Sequence, residues 1–354
     1  MSPRKLSLET QIAGKKVEMN VNPKLDASVV IASYNSGDVL LWCLEKLSDQ
    51  SHPYEQFEVV VVLDGSTDGS KTALDKLSTP FTLKVIEQEN RGKPAAINRA
   101  VLSAVGKYLV FIDADILVNR QFVANHLAWH DRGDVVTGPI PLAEAESPTS
   151  FLTDGVKEWA DEHFAEMSNL AGPITATQMY GGNFSVLLED YKRVGGYREK
   201  LTRSDDYNLG KKFIDAGLKI VFCPDAIGAQ VYDKTIPGWC RDFYVDGRCN
   251  TLMVQQFPEI KGGVRLGHYY PASVTKRILR RLIIYRTPLG DLIVGVAQFV
   301  LERMRRMGSR SKFLAACNGV IGDALYFRGV YEVLGDRQTF LDFVAEDPDG
   351  ADSE

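Results

Sequence analysis

Long apolar runs are missing from this sequence. The longest weakly polar stretch, residues 288–301, has 14 residues and contains Asp291 and Gln298, whereas a helix crossing a bilayer needs ~20 apolar residues. The opening residues, MSPRKLSLETQIAGKK, hold no apolar signal-peptide core, so a cytoplasmic location is expected. Cysteine is scarce: Cys43, Cys223, Cys240, Cys249 and Cys317 are odd in number, scattered, and include no Cys-x-x-Cys. That argues against a disulfide framework or a zinc ribbon and for a reducing compartment. An excess of positive charge is lacking too. With 41 Lys and Arg against 46 Asp and Glu the net charge is −5, and no nucleic-acid partner is expected. No Gly-x-Gly-x-x-Gly follows a strand and no Gly-x-Ser-x-Gly occurs, which removes the simplest dinucleotide and α/β-hydrolase readings. No internal repeat is apparent, so a solenoid is not indicated.

What is present is an alternation. Residues 28–32 (SVVIA), 59–63 (VVVVL), 83–86 and 108–112 read as short buried strands, separated by helical patterns at 40–47, 70–77 and 94–105. Strands without polar alternation, spaced by helices, predict a mostly parallel α/β sheet covered on both faces. Ligands of such sheets bind beyond the carboxyl ends of the strands. The residues to weigh are therefore Tyr34 and Asn35, Asp64, and Asp113 and Asp115. Farther on, 135–137 and 219–223 read as strands, and 150–168 and 206–216 as helices. The last nine residues are acidic and expected to be disordered.

Asp113-Ala114-Asp115 closes an apolar strand with two carboxylates one residue apart. Alternate strand residues share a face, so both can converge on a hard divalent ion, Mn²⁺ or Mg²⁺, which bridges carboxylates to substrate phosphates; a capping or turn pair is the bland alternative. Asp64-Gly65-Ser66-Thr67-Asp68-Gly69, with Asp75 in the twelfth position, imitates the opening of a calcium loop. An EF-hand needs a helix before the loop, and VVVVL is strand-like. An Asp at a strand end facing a ligand crevice suits a base or ribose better. Lys93 precedes Pro94 at an expected helix start, where anions are favoured; it is either a phosphate or base ligand or a solvated lysine. His126 and His130 lie one helical turn apart without a third ligand and read as surface or cap histidines. Asp205 and Asp206 precede the 206–216 helix. One can cap it, but not both, and mutual repulsion raises one pKa as a general base requires.

The order of these blocks is more specific than any one of them. SVVIASYN at 28–35, VVVLDGSTDG at 60–69, NRGKPAAIN at 90–98, FIDAD at 111–115, GGNF at 181–184, GGY at 195–197 and SDDYNL at 204–209 occur in sequence. Over about 27–230 the chain resembles the inverting glycosyltransferase family 2, of GT-A fold. The resemblance implies a Rossmann-like, mostly parallel sheet in a catalytic domain over 27–235, after a lead-in over 1–26. It implies that Asp64 contacts the base beside Tyr34 or Asn35. Asp113 then binds ribose or phosphate beside Ala114, Asp115 binds the metal, and Gly182 and Asn183 lie under the sugar or acceptor. Aligned through Leu209, the family's Glu-Asp pair falls on Asp205 and Asp206, with Asp206 as base. Two departures stand out: Asp205 replaces the Glu, and Tyr232 stands where relatives often carry His. The Gln-x-x-Arg-Trp signature of processive synthases is lacking, although Arg248 in that region could reach the diphosphate. A nucleotidyltransferase, a binding protein without turnover, and a retaining GT-A enzyme with His268 as an extra metal ligand are the rivals. The implied donor is a nucleoside-diphosphate sugar, UDP-linked by preference, and the acceptor a hydroxyl of a glycolipid or growing glycan.

The remaining region, 236–345, reads as mostly helical. From 273 to 312 ten Lys and Arg face only Asp291 and Glu302, a local charge of +8 that leaves −13 on the rest of the chain. Basic amphipathic helices of this type lie on anionic membranes. Arg280, Arg281, Arg305 and Arg306, with Tyr269, Tyr270 and Tyr285, are the expected contacts of a peripheral protein on the inner face of a membrane; packing on the catalytic domain is the alternative.

Overall fold

The computed structural model describes residues 25–170, 174–199, 205–269 and 274–345. In chain order they form β1 (Leu25–Ser33), α1 (Gly37–Leu47), β2 (Phe57–Asp64), α2 (Ser70–Leu74), β3 (Thr82–Gln88), α3 (Lys93–Val101) and β4 (Gly106–Asp113). There follow β5 (Ile116–Val118), α4 (Phe122–Trp129), β6 (Val135–Thr137), α5 (Phe151–Ser168), β7 (Asn183–Leu187) and α6 (Leu188–Arg193). Next come α7 (Asp205–Asp215), β8 (Ile220–Phe222), β9 (Gly228–Gln230), α8 (Ile236–Gln256), α9 (Val274–Ile284), α10 (Pro288–Arg306), α11 (Lys312–Leu334) and α12 (Arg337–Ala345).

Seven strands make one sheet in the order β3-β2-β1-β4-β7-β6-β8, parallel except for β7. The runs of Val and Ile in β1 and β2 are buried on both faces, since helices cover the sheet above and below. Two clusters result, one around Val30, Val60, Phe111 and Phe184, the other around Val29, Ile31, Val59 and Val61. Phe111 and Phe184 stack with ring centroids 4.3 Å apart, so truncating Phe111 to Ala costs about 3–5 kcal/mol. Register decides the site. Ser33 pairs with Leu63, Ala32 with Asp113 and Asp64 with Gln88, so β1, β2 and β4 end along one edge.

Gly181 and Gly182 form the turn that two adjacent glycines suggest, and Asn183 opens β7, inserted antiparallel between β4 and β6. A second small sheet, β5 with β9, joins Ile116 to Gln230.

The helices after residue 236 pack on α5 and on one another, with Phe151 and Leu152 beside Ile236, Ile283, Leu301 and Ile321. The basic stretch is not uniformly solvated. Arg280 is 6% exposed, donates to Asp323 at 2.6 Å and to the Tyr269 carbonyl at 2.6 Å. Arg305 binds Glu302 and Asp233, each at 3.0 Å. Tyr269 packs against Phe327 and Phe340, and Tyr285 against Tyr331. These four expected membrane contacts are interior ties, because burying an arginine or a tyrosine is tolerated only where its polar atoms are satisfied. Tyr270 lies outside the described residues.

Candidate active site

The common edge of β1, β2 and β4 opens into a cavity of about 550 Å³. Tyr34, Asn35, Asp64, Lys93, Asp113, Ala114 and Asp115 all line it, joined by Gln230, Val231, Tyr232, Asp233 and Lys234 from the chain after β9. Seven residues singled out from sequence thus share one wall system.

Each is positioned differently. Asp64, the last residue of β2, is buried and accepts from Gln88 Nε2 at 2.7 Å, Arg91 N at 2.9 Å and Gly92 N at 2.8 Å. A carboxylate offers about four lone-pair sites, so Asp64 mainly pins the loop before α3 and keeps little capacity for a ligand. Asn35, at φ 51°, accepts from Thr67 N through its Oδ1 at 2.7 Å and its backbone N–H donates to Ser66 Oγ at 3.0 Å, tying two sheet-edge loops together. Tyr34 stands exposed at the rim. Lys93 opens α3 and its Nζ lies 2.7 Å from Asp113 Oδ1. Asp115 does not sit on the strand as alternation suggests. β4 ends at Asp113 and a turn carries Asp115 into the same cavity. Its Oδ2 accepts from Gln230 Nε2 at 3.0 Å. Burial, followed by the charge of Asp113, pushes its carboxyl up to about 6.

The start of α7 lies against Gly181. Asp206 Oδ1 accepts from the Tyr197 hydroxyl at 3.1 Å. A Cβ added to Gly181 would come within 1.9 Å of that same oxygen, and one on Gly182 within 2.9 Å of Asp113 Oδ2. The Gly181-Gly182 pair is therefore the stretch of backbone that the Asp206 and Asp113 carboxylates approach closely, one at each glycine. No other residue type fits Gly181 without moving Asp206. The Asp205 and His268 side chains lie outside the described residues.

Two expected donor residues are elsewhere. Asn183 is fully buried: its Nδ2 donates to the Pro139 and Ala226 carbonyls at 2.9 and 2.8 Å, and its Oδ1 pairs with His126 Nε2 at 2.9 Å. Every amide atom is spent beneath the sheet edge, because β7 turns alternate side chains inward. Arg248 sits on α8, lies over the Tyr244 ring and reaches Glu332 at 4.0 Å, away from the cavity lining.

A model described as glycosyl transferase family 2 matches residues 28–194. Residues 28–194, just under half of the chain, thus carry the family 2 glycosyltransferase pattern. It is 27% identical to the glycosyltransferase AglE of Haloferax volcanii over 207 residues, covering 57% of this chain and 66% of that protein. It is 37% identical to the glycosyltransferase YfnE of Bacillus subtilis over 201 residues, 56% of this chain and 47% of that one. The chain thus spans between about half and two thirds of these relatives. Among solved structures it resembles a mannosyltransferase of Pyrobaculum calidifontis in complex with GDP-Man and Mn²⁺, at TM-score 0.60 and 18% identity over 90% of both chains. It also resembles TarS of S. aureus in complex with UDP-GlcNAc, at TM-score 0.51 and 16% identity over 88% of this chain and 93% of that one. The shared fold is GT-A.

Within this family 2 fold, the second cavity wall escaped sequence reasoning. Gln230, Asp233 and Lys234 reach Asp115's side of the site only because β9 pairs with β5; both strands have three residues, too short for a periodic signal.

His130 is the C-cap of α4, one of the two roles expected, whereas His126 is neither a cap nor a surface residue. His126 is fully buried between Ser185 Oγ at 3.0 Å and Asn183, and His130 Nε2 reaches the same Ser185 hydroxyl at 2.9 Å. Because the Asn183 nitrogen donates to two carbonyls, its Oδ1 must accept, so His126 is a neutral imidazole donating from Nε2. Burial pulls the His126 pKa down to about 3 and that of His130 to about 4. Folded values below the ordinary 6.5 mean that unfolding takes up protons, so stability is full above about pH 6.5 and falls as pH drops toward 3–4, by about 1.4 kcal/mol per pH unit per histidine. Chemical denaturation across that window should show the slope, and His126→Gln should flatten it. An unchanged slope would place the responsible groups elsewhere.

Proposed function

We propose that this protein transfers a sugar from a nucleoside-diphosphate sugar to an acceptor hydroxyl, with inversion at the anomeric carbon and a divalent cation, Mn²⁺ or Mg²⁺. The catalytic domain is residues 27–235 and a helical region over 236–345 carries it. One observation carries the reading: Asp113 and Asp115 line the strand-edge cavity, and Asp206 lies against Gly181 while Asp113 lies against the adjoining Gly182. The protein of similar fold bound to GDP-Man and Mn²⁺ and the one bound to UDP-GlcNAc support a nucleotide-sugar donor.

The donor set suits a hard cation. Among the described residues no cluster of three or more His, Cys, Asp or Glu forms. Two carboxylates completed by substrate phosphates are, however, what Mg²⁺ takes. The repulsion that helps hold the Asp115 carboxyl up to about 6 is what a cation relieves. A bound cation supplies Lewis-acid stabilisation of the departing diphosphate. Lys93, beside Asp113, adds positive charge on that side. Asp206 takes the proton of the acceptor hydroxyl as it attacks the face opposite the leaving group, and the Tyr197 hydroxyl holds the carboxylate in place. Residues 34–35 and the pinned loop before α3 frame the nucleotide. The acceptor belongs to a glycolipid or growing glycan, and the protein works at the cytoplasmic surface of an anionic membrane.

Thermal stabilisation by a panel of nucleotide-sugars with Mn²⁺ identifies the donor, since a ligand at 100 times its Kd adds about 2.7 kcal/mol. The UDP- and GDP-linked members separate first, and slow hydrolysis of the stabilising donor follows by release of nucleoside diphosphate. Release of pyrophosphate instead would make it a nucleotidyltransferase, and an acceptor product with retained configuration would end the inverting reading.

A further inference from the structure

α10 is fastened along one side and bare along the other. Inward, Val294 and Leu301 are buried, and Glu302 accepts from Ile236 N at 2.9 Å. Arg305 first, helped by the Ile236 amide and opposed by burial, lowers the Glu302 carboxyl to about 2. Outward, Leu289, Leu292, Val296, Phe299 and Met307 recur at helical spacing and are all exposed, Leu292 by 63% and Phe299 by 73%. Phe313, in the first turn of α11, is 74% exposed. An apolar face this long is uncommon on a soluble monomer and marks an interaction site.

The charges around the stripe are mostly basic. Arg303 continues it, Arg306 and Lys312 flank it, and Arg281 shares the exposed side of α9 with Ile278. Asp291, the exposed carboxylate of α10, is held by Arg328 at 2.8 Å. Among the described residues Arg281, Arg303 and Lys312 form no ion pair.

We propose that this face of α10 lies in the headgroup boundary of an anionic bilayer, with the helix axis parallel to the surface. The proposal deepens the membrane-surface reading above and rests on it. An in-plane pose follows from three facts. No single described helix is long and apolar enough to cross a bilayer, and α9 and α10 meet at 106°. The last turn of α10 carries Arg303, Arg305 and Arg306. The inner side is tied to the protein through Glu302 and Arg305. A second copy fits worse, because a two-fold contact would bring the Arg303 and Lys312 charges toward their own copies without carboxylates to answer them. The pose also places the active site. Arg305 grips Asp233 at 3.0 Å, and Asp233 lines the cavity. One helix thickness, about 10 Å, separates that wall from the headgroups, within reach of a hydroxyl on a lipid-linked acceptor.

Flotation of the full chain with vesicles of phosphatidylcholine and phosphatidylglycerol, against phosphatidylcholine alone, tests this. Wild type should float with the anionic vesicles, less so at raised salt. The Leu292→Ser, Phe299→Ser double variant should lose at least about tenfold in binding, the scale of losing one large buried apolar side chain. Arg281→Gln with Arg303→Gln should weaken the salt dependence. All variants should keep the wild-type thermal midpoint and vesicle-free donor hydrolysis. If wild type ignores anionic vesicles, the membrane reading itself fails. If wild type and the serine variant float alike, the membrane reading survives and this face of α10 is wrong. Dimerisation of wild type that the serine variant abolishes would hand the face to a second copy.

Discussion

Asp206→Asn should fold, bind donor as wild type does, and turn over more slowly by a factor of about 10²–10⁴, the usual contribution of a positioned general base. The amide keeps the shape and can still accept from the Tyr197 hydroxyl, but it cannot take the acceptor's proton. Gly181→Ala is the geometric companion. Its methyl would stand 1.9 Å from Asp206 Oδ1, so the carboxylate must move, and loss of kcat with donor affinity intact is expected. Steady-state kinetics, calorimetry with nucleoside diphosphate and the thermal midpoint separate these effects. Full activity in Asp206→Asn with an inactive Asp205→Asn would shift the base by one residue.

Removing the Asp115 carboxylate should abolish metal-dependent nucleotide binding. Altering an outer-shell partner of a metal typically costs about 10–100-fold, so loss of a direct ligand in Asp115→Ala should cost about 100-fold or more. Titration of nucleoside diphosphate with Mn²⁺, and again after chelation, reads it: wild type should weaken on chelation and the variant should not change. Asp64→Ala should behave otherwise. It frees the Arg91 and Gly92 amides that shape the loop before α3, so nucleotide affinity falls while the response to Mn²⁺ persists. Wild-type affinity in both variants would remove this cavity as the donor site.

Much of the strand-edge wall was legible in the chain itself. The Val runs of β1 and β2 are apolar enough to be buried on both faces, which dictates a covered parallel sheet, and polar residues that end such strands can only emerge at its edge. Tyr34, Asp64 and Asp113 therefore follow from pattern alone. The close approach at these glycines was not legible: Gly181-Gly182 looks like an ordinary turn until Asp206 is seen against Gly181 and Asp113 against Gly182. Asn183 and His126 were misplaced because a short strand buried mid-sheet carries polar groups that satisfy one another, and composition cannot distinguish these from ligand contacts. Charge counting failed at Arg280 and Arg305 for the same reason, since only the fold brings Asp323 and Asp233 to them. Local sequence determined which segments are strands and helices and which residues end them, because burial and backbone propensity act over a few neighbours. The tertiary structure alone decided which carboxylates meet, which arginines are neutralised and which side of α10 stays bare, because those outcomes depend on contacts between residues far apart in the chain.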